Sequence, residues 1–353
     1  MRTNWSEWRY AGLEDRRACR NLIRQGSRSF FAASLLLPAD LRDPAYAVYS
    51  FCRLADDGVD LERGGPNPIA RLRWRLEALY RGRPLDHPAD RALADVVAFY
   101  DLPRPLFDAL IEGLEWDHRG RCYDSIEDLH AYAARVASAV GAIMACLMGR
   151  RAPETLARAC DLGVAMQLTN IARDVGEDAR AGRLYLPRNW LREAGIDPDG
   201  FLAAPAMSPE LGSVIRLLLE HADTLYRRSL VGIADLPRGC RPAINAARRL
   251  YAEIGAAVAA RDYDSVTARA VVPPGRKFAV VLYAVAEAAL IGGRATAPSL
   301  AATRFLVDAV TEATPYRQGP DDPVIESRTE WVIDLFGRLR ERDYLGGAGS
   351  SAA

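Results

Sequence analysis

Apolar residues recur every three or four positions along most of the chain, a spacing typical of amphipathic α-helices. Three such stripes are Val48-Cys52-Ala55-Val59, Leu72-Leu76-Leu79 and Phe107-Leu110-Leu114. No stretch alternates apolar and polar residues convincingly enough for a strand, and the sequence has no phosphate-binding glycine loop and no repeat of fixed period. The pattern therefore predicts an all-α protein, a single domain of many helices around a central apolar cavity.

Turn residues give the predicted boundaries of these helices. Asp43 and Pro44 have the pattern of an N-cap and a first helical position, which predicts a helix from there to about Asp60 that ends before Gly64. Prolines at positions 84, 88 and 103 mark the turns between helices within residues 66–120. Further helices are expected at residues 129–149, 245–260, 278–291 and 331–339, with a loop-rich stretch at 190–209. We assign residues 1–20 to an N-terminal segment, 21–317 to the main domain and 318–353 to a C-terminal helix and disordered tail.

Composition excludes some classes of function. The 353-residue chain carries 46 Lys and Arg residues and 46 Asp and Glu residues, so its net charge gives no reason to expect a nucleic-acid partner. The six cysteines are scattered, which is typical of small core residues in a reducing cytosol. The N-terminus lacks the apolar run of a signal peptide, and uncharged runs such as residues 136–149 are too short to cross a bilayer. We therefore expect a cytoplasmic protein.

One polar stripe is the first candidate for chemistry. Gln167, Asn170, Asp174 and Asp178 are spaced three, four and four residues apart, so they project from the same side of a helix. The stripe ends in two carboxylates that lie one turn apart.

A second acidic pair repeats this arrangement. Asp56 and Asp60 are four residues apart, and Arg53 precedes Asp56 by three. A single pair of this kind is usually a solvated helix face. Both pairs here lie in segments rich in Ala, Val, Leu and Ile, where like charges four residues apart destabilise a helix unless something offsets them. Two such faces opposed across a cavity would bind divalent cations together with a polyphosphate substrate.

Hydroxyl and basic residues are candidates for binding the phosphate groups. Ser27, Arg28 and Ser29 are suited to that role, although a serine at the start of a helix is equally well explained as its cap. Arg180 and Arg183 follow the second acidic pair and are suited to binding oxyanions. The four histidines lack metal-ligand spacing. Carboxylates are therefore the candidate metal ligands.

Taken together, these residues resemble the squalene and phytoene synthase family, whose members join two prenyl diphosphates head to head. The resemblance covers residues 22–291, and its motifs are specific when taken together. It rests on Ser27-Arg-Ser-Phe30, on Arg53 with Asp56 and Asp60, on residues 132–141 and 167–178, and on Gly182-Arg-Leu-Tyr-Leu-Pro187. Gly58, Ala133, Ala134 and Ser138 depart from the family pattern; these changes leave the acidic pairs intact and bear on the fine shape of the cavity.

The resemblance implies an isoprenoid-synthase fold and a prenyltransferase of carotenoid biosynthesis. The implied reaction, most like that of the bacterial phytoene-forming members, condenses two molecules of geranylgeranyl diphosphate through a cyclopropyl diphosphate to phytoene. It implies Mg²⁺, which Mn²⁺ can replace, and no nicotinamide cofactor. The resemblance also assigns the functional residues of the family to matching positions of this sequence. The implied metal ligands are Asp56, Asp60, Asn170, Asp174 and Asp178. The implied diphosphate-binding residues are Ser27, Arg28, Ser29, Phe30, Arg53, Gln167, Asn170, Arg173, Arg183 and Tyr251. The implied catalytic residues are the four aspartates, Arg53 and Tyr132, although a tyrosine such as Tyr132 is more often a core residue.

The expected partners follow from the substrates and from a product that is almost insoluble in water. They are the prenyl diphosphates, the inner face of the membrane through weak peripheral contact, and a downstream carotenoid desaturase. The apolar helix expected at residues 278–291, behind Arg276 and Lys277, is a candidate contact face, although a core helix is the more common explanation of its sequence.

Two other functions stay open. A squalene- or dehydrosqualene-forming enzyme would use the fifteen-carbon farnesyl diphosphate, and squalene formation would also need NADPH, for which the sequence has no dinucleotide fingerprint. A non-catalytic helical binding or assembly protein would be expected to carry degenerate acidic motifs, and both motifs here are intact. Substrate chain length, the double-bond geometry of the product, the number of metal ions and the oligomeric state do not follow from the sequence.

Overall fold

The computed structural model describes residues 8–61, 68–293 and 297–313, without the side chains of Arg28 and residues 57–61. Fifteen α-helices and no strand occur in these ranges. The helices are α1 (Leu13–Gly26), α2 (Arg28–Ser34), α3 (Ala39–Leu61), α4 (Pro68–Tyr80), α5 (Pro88–Tyr100), α6 (Arg104–His118), α7 (Ile126–Ala133), α8 (Ala139–Leu147), α9 (Pro153–Arg180), α10 (Arg188–Glu193), α11 (Pro198–Ala203), α12 (Pro209–Ala234), α13 (Arg241–Ala259), α14 (Pro274–Ala288) and α15 (Arg304–Ala313). A π-helical segment, Ala134–Ser138, joins α7 to α8.

The other helices surround α9, the longest helix of the described chain. Pro153 opens α9 at the first helical position, where a proline loses no hydrogen bond, and alanine and leucine favour the helix along its 28 residues. At 1.5 Å per residue it is about 42 Å long. It packs against α8, α12, α13 and the π-helical segment. Side chains on α9 are therefore held in place by neighbours on several sides.

Four apolar clusters hold the described helices together, the smallest of them around Met148, Leu236 and Cys240. The first lies among α1, α3, α4, α5, α6 and α8, where the rings of Phe51 and Phe107 meet edge to face at 5.9 Å. The second surrounds α9 and α12 and includes the fully buried Leu168 and Ile215. The third connects the segment after α2 and the start of α3 to α13 and α14. Burial of apolar surface stabilises these contacts by roughly 25 cal/mol per Å².

The all-α prediction is confirmed, but several predicted boundaries were wrong. Helix α3 begins at Ala39, so Pro44 lies inside it and not at its first position. As the sixth residue of α3, Pro44 has no N–H to donate to the carbonyl four residues earlier, so the helix lacks one backbone hydrogen bond there. The stretch at 190–209 contains α10 and α11, and α13 and α14 each begin four residues earlier than expected. The predicted helix at 331–339, the tail and the turn at Gly64 lie outside the described residues.

One described helix is long and apolar enough to cross a membrane by length and composition. It is Ile126–Leu147, formed by α7, the π-helical segment and α8. The search for uncharged runs missed its length because Glu127, Asp128 and Arg135 interrupt the apolar sequence. Within its most apolar stretch, 56% is buried inside the protein, where the helix packs against α6 and α9. Burial of this kind is typical of a core helix.

Candidate active site

A cavity of about 340 Å³ follows the middle of α9. Helices α2, α3, α8, α12 and α13 and the π-helical segment form the other walls. The α9 residues that line it are Thr155, Arg158, Ala159, Leu162, Gly163, Met166, Gln167 and Asn170. From Thr155 to Asn170 the cavity extends for about 22 Å along the helix axis. Most of the lining is apolar, so the cavity suits a long hydrocarbon chain.

The width of the cavity depends on close contact between α9 and the π-helical segment. A Cβ added at Gly163 would lie 2.6 Å from the Cα of Ser138, a distance that backbone atoms cannot accommodate. The Ser138 hydroxyl donates to the carbonyl of Cys160 at 2.7 Å, which fixes the two helices in this contact. Ser138, a departure from the family pattern, therefore contributes to packing behind the cavity wall.

The end of the cavity nearest Asp174 carries several polar side chains, and we call this end the mouth. Gln167 and Asn170 line the cavity there, together with Tyr49 and Tyr251. The Tyr251 hydroxyl is hydrogen-bonded to the Asn170 side chain, and the ring of Phe30 lies 5.1 Å from that of Tyr251. The structure therefore brings together Gln167, Asn170, Phe30 and Tyr251, whose role in diphosphate binding stays a prediction.

The residues that precede Phe30 cap and begin helix α2. The hydroxyl of Ser27 accepts a hydrogen bond from the backbone N–H of Phe30 at 3.3 Å, so Ser27 is the N-cap of α2. Ser29 is half-buried in the first turn of α2, and the side chain of Arg28 lies outside the described part of the chain. Their predicted role in diphosphate binding stays a prediction.

Asp174, one turn beyond Asn170 on α9, is held by two arginines. Arg173 donates to it from Nε at 2.7 Å and from a terminal nitrogen at 2.5 Å. Arg269 donates from Nε at 2.8 Å and from a terminal nitrogen at 3.1 Å. Arg269 also lies 3.5 Å from Glu177. The sequence analysis gave Arg269 no role, since its partner Asp174 lies 95 residues away.

Arg269 is positioned by a segment that crosses α9, residues 261–273, which we call the strap. The N–H of Gly176 donates to the carbonyl of Ser265, and the hydroxyl of Ser265 donates to the carbonyl of Ala172. A Cβ on Gly176 would lie 2.4 Å from the carbonyl oxygen of Val266, so only glycine permits this contact. The strap therefore holds Arg269 against the acidic end of α9.

Asp178, the last acid of the stripe, faces a second carboxylate that the sequence analysis missed. Burial raises the pKa of Asp178 to about 7, with Asp174 adding to the shift and Arg183 opposing it. Burial likewise raises the pKa of Asp117, on α6, to about 6, although two tyrosine hydroxyls and Arg183 oppose the shift. The negative charge of Asp117 adds to the raised pKa of Asp178, a repulsion that a bound cation would relieve.

Two stacked tyrosines, Tyr132 and Tyr185, hold Asp117, and Tyr123 packs beside them. The hydroxyl of Tyr132 donates to one of its carboxylate oxygens at 2.8 Å, and that of Tyr185 donates to the other at 2.7 Å. Their rings are 5.3 Å apart, and the ring of Tyr123 lies 5.1 Å from that of Tyr132. Tyr132 is buried and does not line the cavity. The structure therefore gives Tyr132 a role in positioning Asp117, and direct contact with substrate stays a prediction.

A glycine turn returns the chain from α9 to Asp117. Gly182 has a φ of +75°, a conformation that favours glycine, and the N–H of Arg183 then donates back to the carbonyl of Asp178 at 2.8 Å. This reversal brings Arg183 near both Asp117 and Asp178. It also places the hydroxyl of Tyr185 against Asp117. Tyr185 lies in a motif that the resemblance used, yet it had been given no role.

The first acidic motif approaches the second at the same end of the cavity. Arg53 and Asp56 form an ion pair of 3.7 Å on α3, with both side chains about half exposed. The charge of Asp56 reaches Asp117 and adds to its raised pKa, behind the larger effect of burial. Helix α3 also carries Asp60, whose side chain lies outside the described residues. The two motifs thus converge, with Asp117 between them.

The donors at this site fit a hard divalent cation. Carboxylate and amide oxygens are the ligands that Mg²⁺ prefers, and the buried acids lack enough positive charge around them. In the described residues, no group of three or more His, Cys, Asp or Glu side chains is arranged to hold a metal ion. Asp174 is instead held by Arg173 and Arg269. Binding of a cation would therefore require these arginines to give way.

Comparison with known proteins supports this view of the site. The sequence model of the squalene/phytoene synthase family matches residues 23–276. The chain is 53% identical to a phytoene synthase of Rhodobacter capsulatus over 290 residues, which cover 81% of the chain and 83% of that relative. It is 47% identical to a phytoene synthase of Cereibacter sphaeroides over 341 residues, or 92% and 94% of the two chains.

A solved structure agrees with the fold. The crystal structure of a dehydrosqualene synthase in complex with a ligand superposes with a TM-score of 0.72 at 29% identity, covering 77% of this chain and 96% of that one. The predicted isoprenoid-synthase fold is confirmed by this similarity and by the helices described above. On the family match, the two relatives and the shared fold, the chain belongs to the squalene/phytoene synthase family.

Proposed function

We propose that the protein is a prenyltransferase that condenses two molecules of geranylgeranyl diphosphate head to head into phytoene. One observation carries the proposal. A long apolar cavity ends at a mouth where two acidic motifs and several arginines converge. The apolar part suits the prenyl chains and the mouth suits their diphosphates. Relatives at 47% and 53% identity are phytoene synthases, which supports this product over squalene or dehydrosqualene.

The residues at the mouth have distinct roles in this reaction. Asp56, Asp60, Asn170, Asp174 and Asp178 would hold Mg²⁺, which when bound neutralises diphosphate charge. Arg53, Arg173, Arg183 and Arg269 supply further positive charge around the departing group. Asp117, fixed by Tyr132 and Tyr185, sets the position of the acidic cluster on the α6 side. Gln167 and Tyr251 lie where the cavity meets the mouth and orient the first carbons of the prenyl chain.

The chemistry needs both the charged mouth and the dry cavity. The C1–O bond of one substrate breaks, and its electron pair leaves with the diphosphate. The double bond of the second substrate attacks the allylic cation, and loss of a proton closes a cyclopropane that still carries one diphosphate. Departure of that diphosphate, rearrangement and loss of a second proton give the central double bond of phytoene. Water would capture these cations, so the apolar lining protects them.

The reaction should depend on a divalent cation and not on a nicotinamide. We expect chelation to stop turnover, and Mg²⁺ or Mn²⁺ to restore it, because the acidic mouth binds the cation needed for ionisation. The test incubates the protein with farnesyl or geranylgeranyl diphosphate, with and without Mg²⁺ and NADPH, and identifies the products by mass. Phytoene from the twenty-carbon substrate without NADPH is the expected result. A product that forms only with NADPH would establish the squalene-type reaction instead.

Activation by Mg²⁺ should also depend steeply on pH. The pKa values of Asp117 and Asp178 are raised, chiefly by burial, to about 6 and about 7, so protons compete with the cation below these values. We expect the Mg²⁺ concentration for half-maximal activity to rise about tenfold for each pH unit below 7, because Asp178 must lose its proton to bind the ion. Activity titrations with Mg²⁺ between pH 5.5 and 8 measure this. A constant requirement over that range would contradict the assignment of the site.

We further propose a cytoplasmic protein that contacts the inner face of the membrane and delivers its product to a carotenoid desaturase. The support is chemical, since a forty-carbon hydrocarbon partitions out of water. Apolar transfer at roughly 25 cal/mol per Å² makes release into water very unfavourable for so large a surface.

A further inference from the structure

Helix α14 is apolar on both of its faces. Val280, Val281, Ala284 and Ala288 face inward, in the cluster shared with α13. From Phe278 onward, just after the exposed Arg276, the exposed residues form what we call the outer stripe: Phe278, Ala279, Leu282, Tyr283, Ala286, Ala289 and Leu290. A helix at the surface of a protein normally turns charged residues outward. The outer stripe contains none, and Tyr283 and Leu290 are 59% and 85% exposed.

The apolar surface continues beyond the helix. Val271, in the strap just before α14, is 73% exposed. Together with the outer stripe it makes an exposed apolar surface that begins before the helix and ends after it. Contiguous surfaces of this kind mark sites of contact with a membrane or another protein.

The charges beside the outer stripe favour an anionic partner. Helices α13 and α14 together carry five basic and two acidic residues. Both acids are already paired, Glu253 with Arg276 at 2.6 Å and Glu287 with Arg248 at 3.2 Å and with Arg249. The guanidinium of Arg249 also lies 4.8 Å from the centre of the Tyr283 ring. An uncharged stripe with excess positive charge beside it matches a surface of anionic lipids.

The third apolar cluster connects this surface to the cavity. Leu37, Ala45 and Ala243 belong both to that cluster and to the cavity wall. Helix α13 therefore forms a single layer between the cavity and α14. Its residues on this wall include Ala243 and Ala247, so few side-chain atoms separate the cavity from α14.

We propose that the outer stripe, with Val271, docks the protein on an anionic lipid surface, and that the hydrocarbon product leaves the cavity past α13 into that lipid. Docking is inferred only from the exposed apolar residues and the charges beside them. Release of the product rests on the proposed function. The two parts can therefore fail separately.

Vesicle flotation without substrate tests the docking. The probe is vesicles of phosphatidylcholine with phosphatidylglycerol, compared with phosphatidylcholine alone. Glutamates at Leu282 and Leu290 (Leu282→Glu with Leu290→Glu) should lower the partition coefficient onto the anionic vesicles about tenfold or more, because charge on the lipid-facing side opposes burial. The control is Leu13→Glu, the same substitution at a 65% exposed leucine on α1, which should change binding less than twofold.

Any of three other results of this experiment would overturn the docking proposal. Failure of the wild-type protein to float with anionic vesicles would show that something else covers the stripe, such as another segment of the chain. Equal flotation of the double variant would place the lipid contact elsewhere. A double variant that changes from dimer to monomer in size-exclusion chromatography, with flotation unaltered, would assign the stripe to a second copy. Circular dichroism checks that the double variant is folded.

Turnover measurements test the release of product. Vesicles should raise the steady-state rate of the wild-type protein severalfold but leave the double variant unchanged, while the two rates without vesicles agree. Equal stimulation of both proteins would overturn release through this surface. Absence of phytoene formation in the wild-type protein would overturn the proposed function and leave the flotation result standing.

Discussion

Replacing Asp174 by asparagine should lower kcat about a thousandfold or more, the size of effect seen when one preorganised charge at a reaction centre is removed. Asp174 is the carboxylate that Arg173 and Arg269 hold at the acidic end of α9. The amide keeps the shape of the side chain but loses the charge that binds a cation. The helical fold should persist, because Asp174 lies at the mouth and not in an apolar cluster. Steady-state kinetics at saturating Mg²⁺ and circular dichroism measure the two effects.

Asp56→Asn should show the same loss, because the proposed site needs both acidic motifs. The control is Asp223→Asn, which removes an exposed carboxylate from α12 and should leave kcat within about twofold, as is usual for surface substitutions. Near-normal activity of either site variant at saturating Mg²⁺ would rule out a site formed by two acidic clusters.

Replacing Ala159 by phenylalanine should convert a preference for the twenty-carbon substrate into one for the fifteen-carbon substrate. Ala159 lines the cavity one turn of α9 from Thr155, at the end away from the mouth. The added ring would occupy the space that the last isoprene unit of the longer chain needs. We expect kcat/KM for geranylgeranyl diphosphate to fall about a hundredfold, within the range that misfits of a few atoms produce in apolar pockets.

The same variant should retain kcat/KM for farnesyl diphosphate, because the shorter chain ends before the ring. Competition between the two substrates, with products identified by mass, gives the ratio directly. Ala256→Phe, at an exposed position on α13, is the matched control and should not change the ratio. Equal losses for both substrates would show that Ala159→Phe disturbs the whole cavity, and an unchanged ratio would place the end of the prenyl chain elsewhere.

The sequence predicted the part of the site that lies on one helix. Gln167 and Asn170 line the same end of the cavity, and Asp174 and Asp178 follow on the next turns of α9, because helical spacing is a local property. The sequence analysis predicted that Asp56 would lie near the acidic pair of this helix, because the two motifs repeat the same spacing. The charge of Asp56 does contribute to the raised pKa of Asp117.

Residues brought in from distant segments were missed. Asp117 has no acidic partner at helical spacing, so nothing in its own segment distinguishes it from a surface residue. It gains Tyr132 and Tyr185 only because α7 and the segment after α9 fold against α6. Arg269 reaches Asp174 because the strap crosses α9. Such contacts depend on tertiary packing, which periodicity does not encode.

Helix α14 shows a related limit. The residues from Phe278 to Ala286 carry no charge, so the sequence carried little indication of which face is buried, and a core helix was the more common explanation. The structure buries one face against α13 and leaves the outer stripe exposed. The predicted start of α3 was wrong for a different reason: Asp43 and Pro44 have the sequence pattern of a helix start, but the helix begins earlier, at Ala39.

The bond between Gly176 and the strap makes one amide of α9 a natural reporter. The N–H of Gly176 donates to a carbonyl outside its own helix, that of Ser265. Exchange of its hydrogen for solvent deuterium therefore requires the strap to detach, even where the helix frays on its own. Deuterium uptake at this single position measures how often Arg269 leaves the acidic end of α9, and it does so without any substrate, label or substitution.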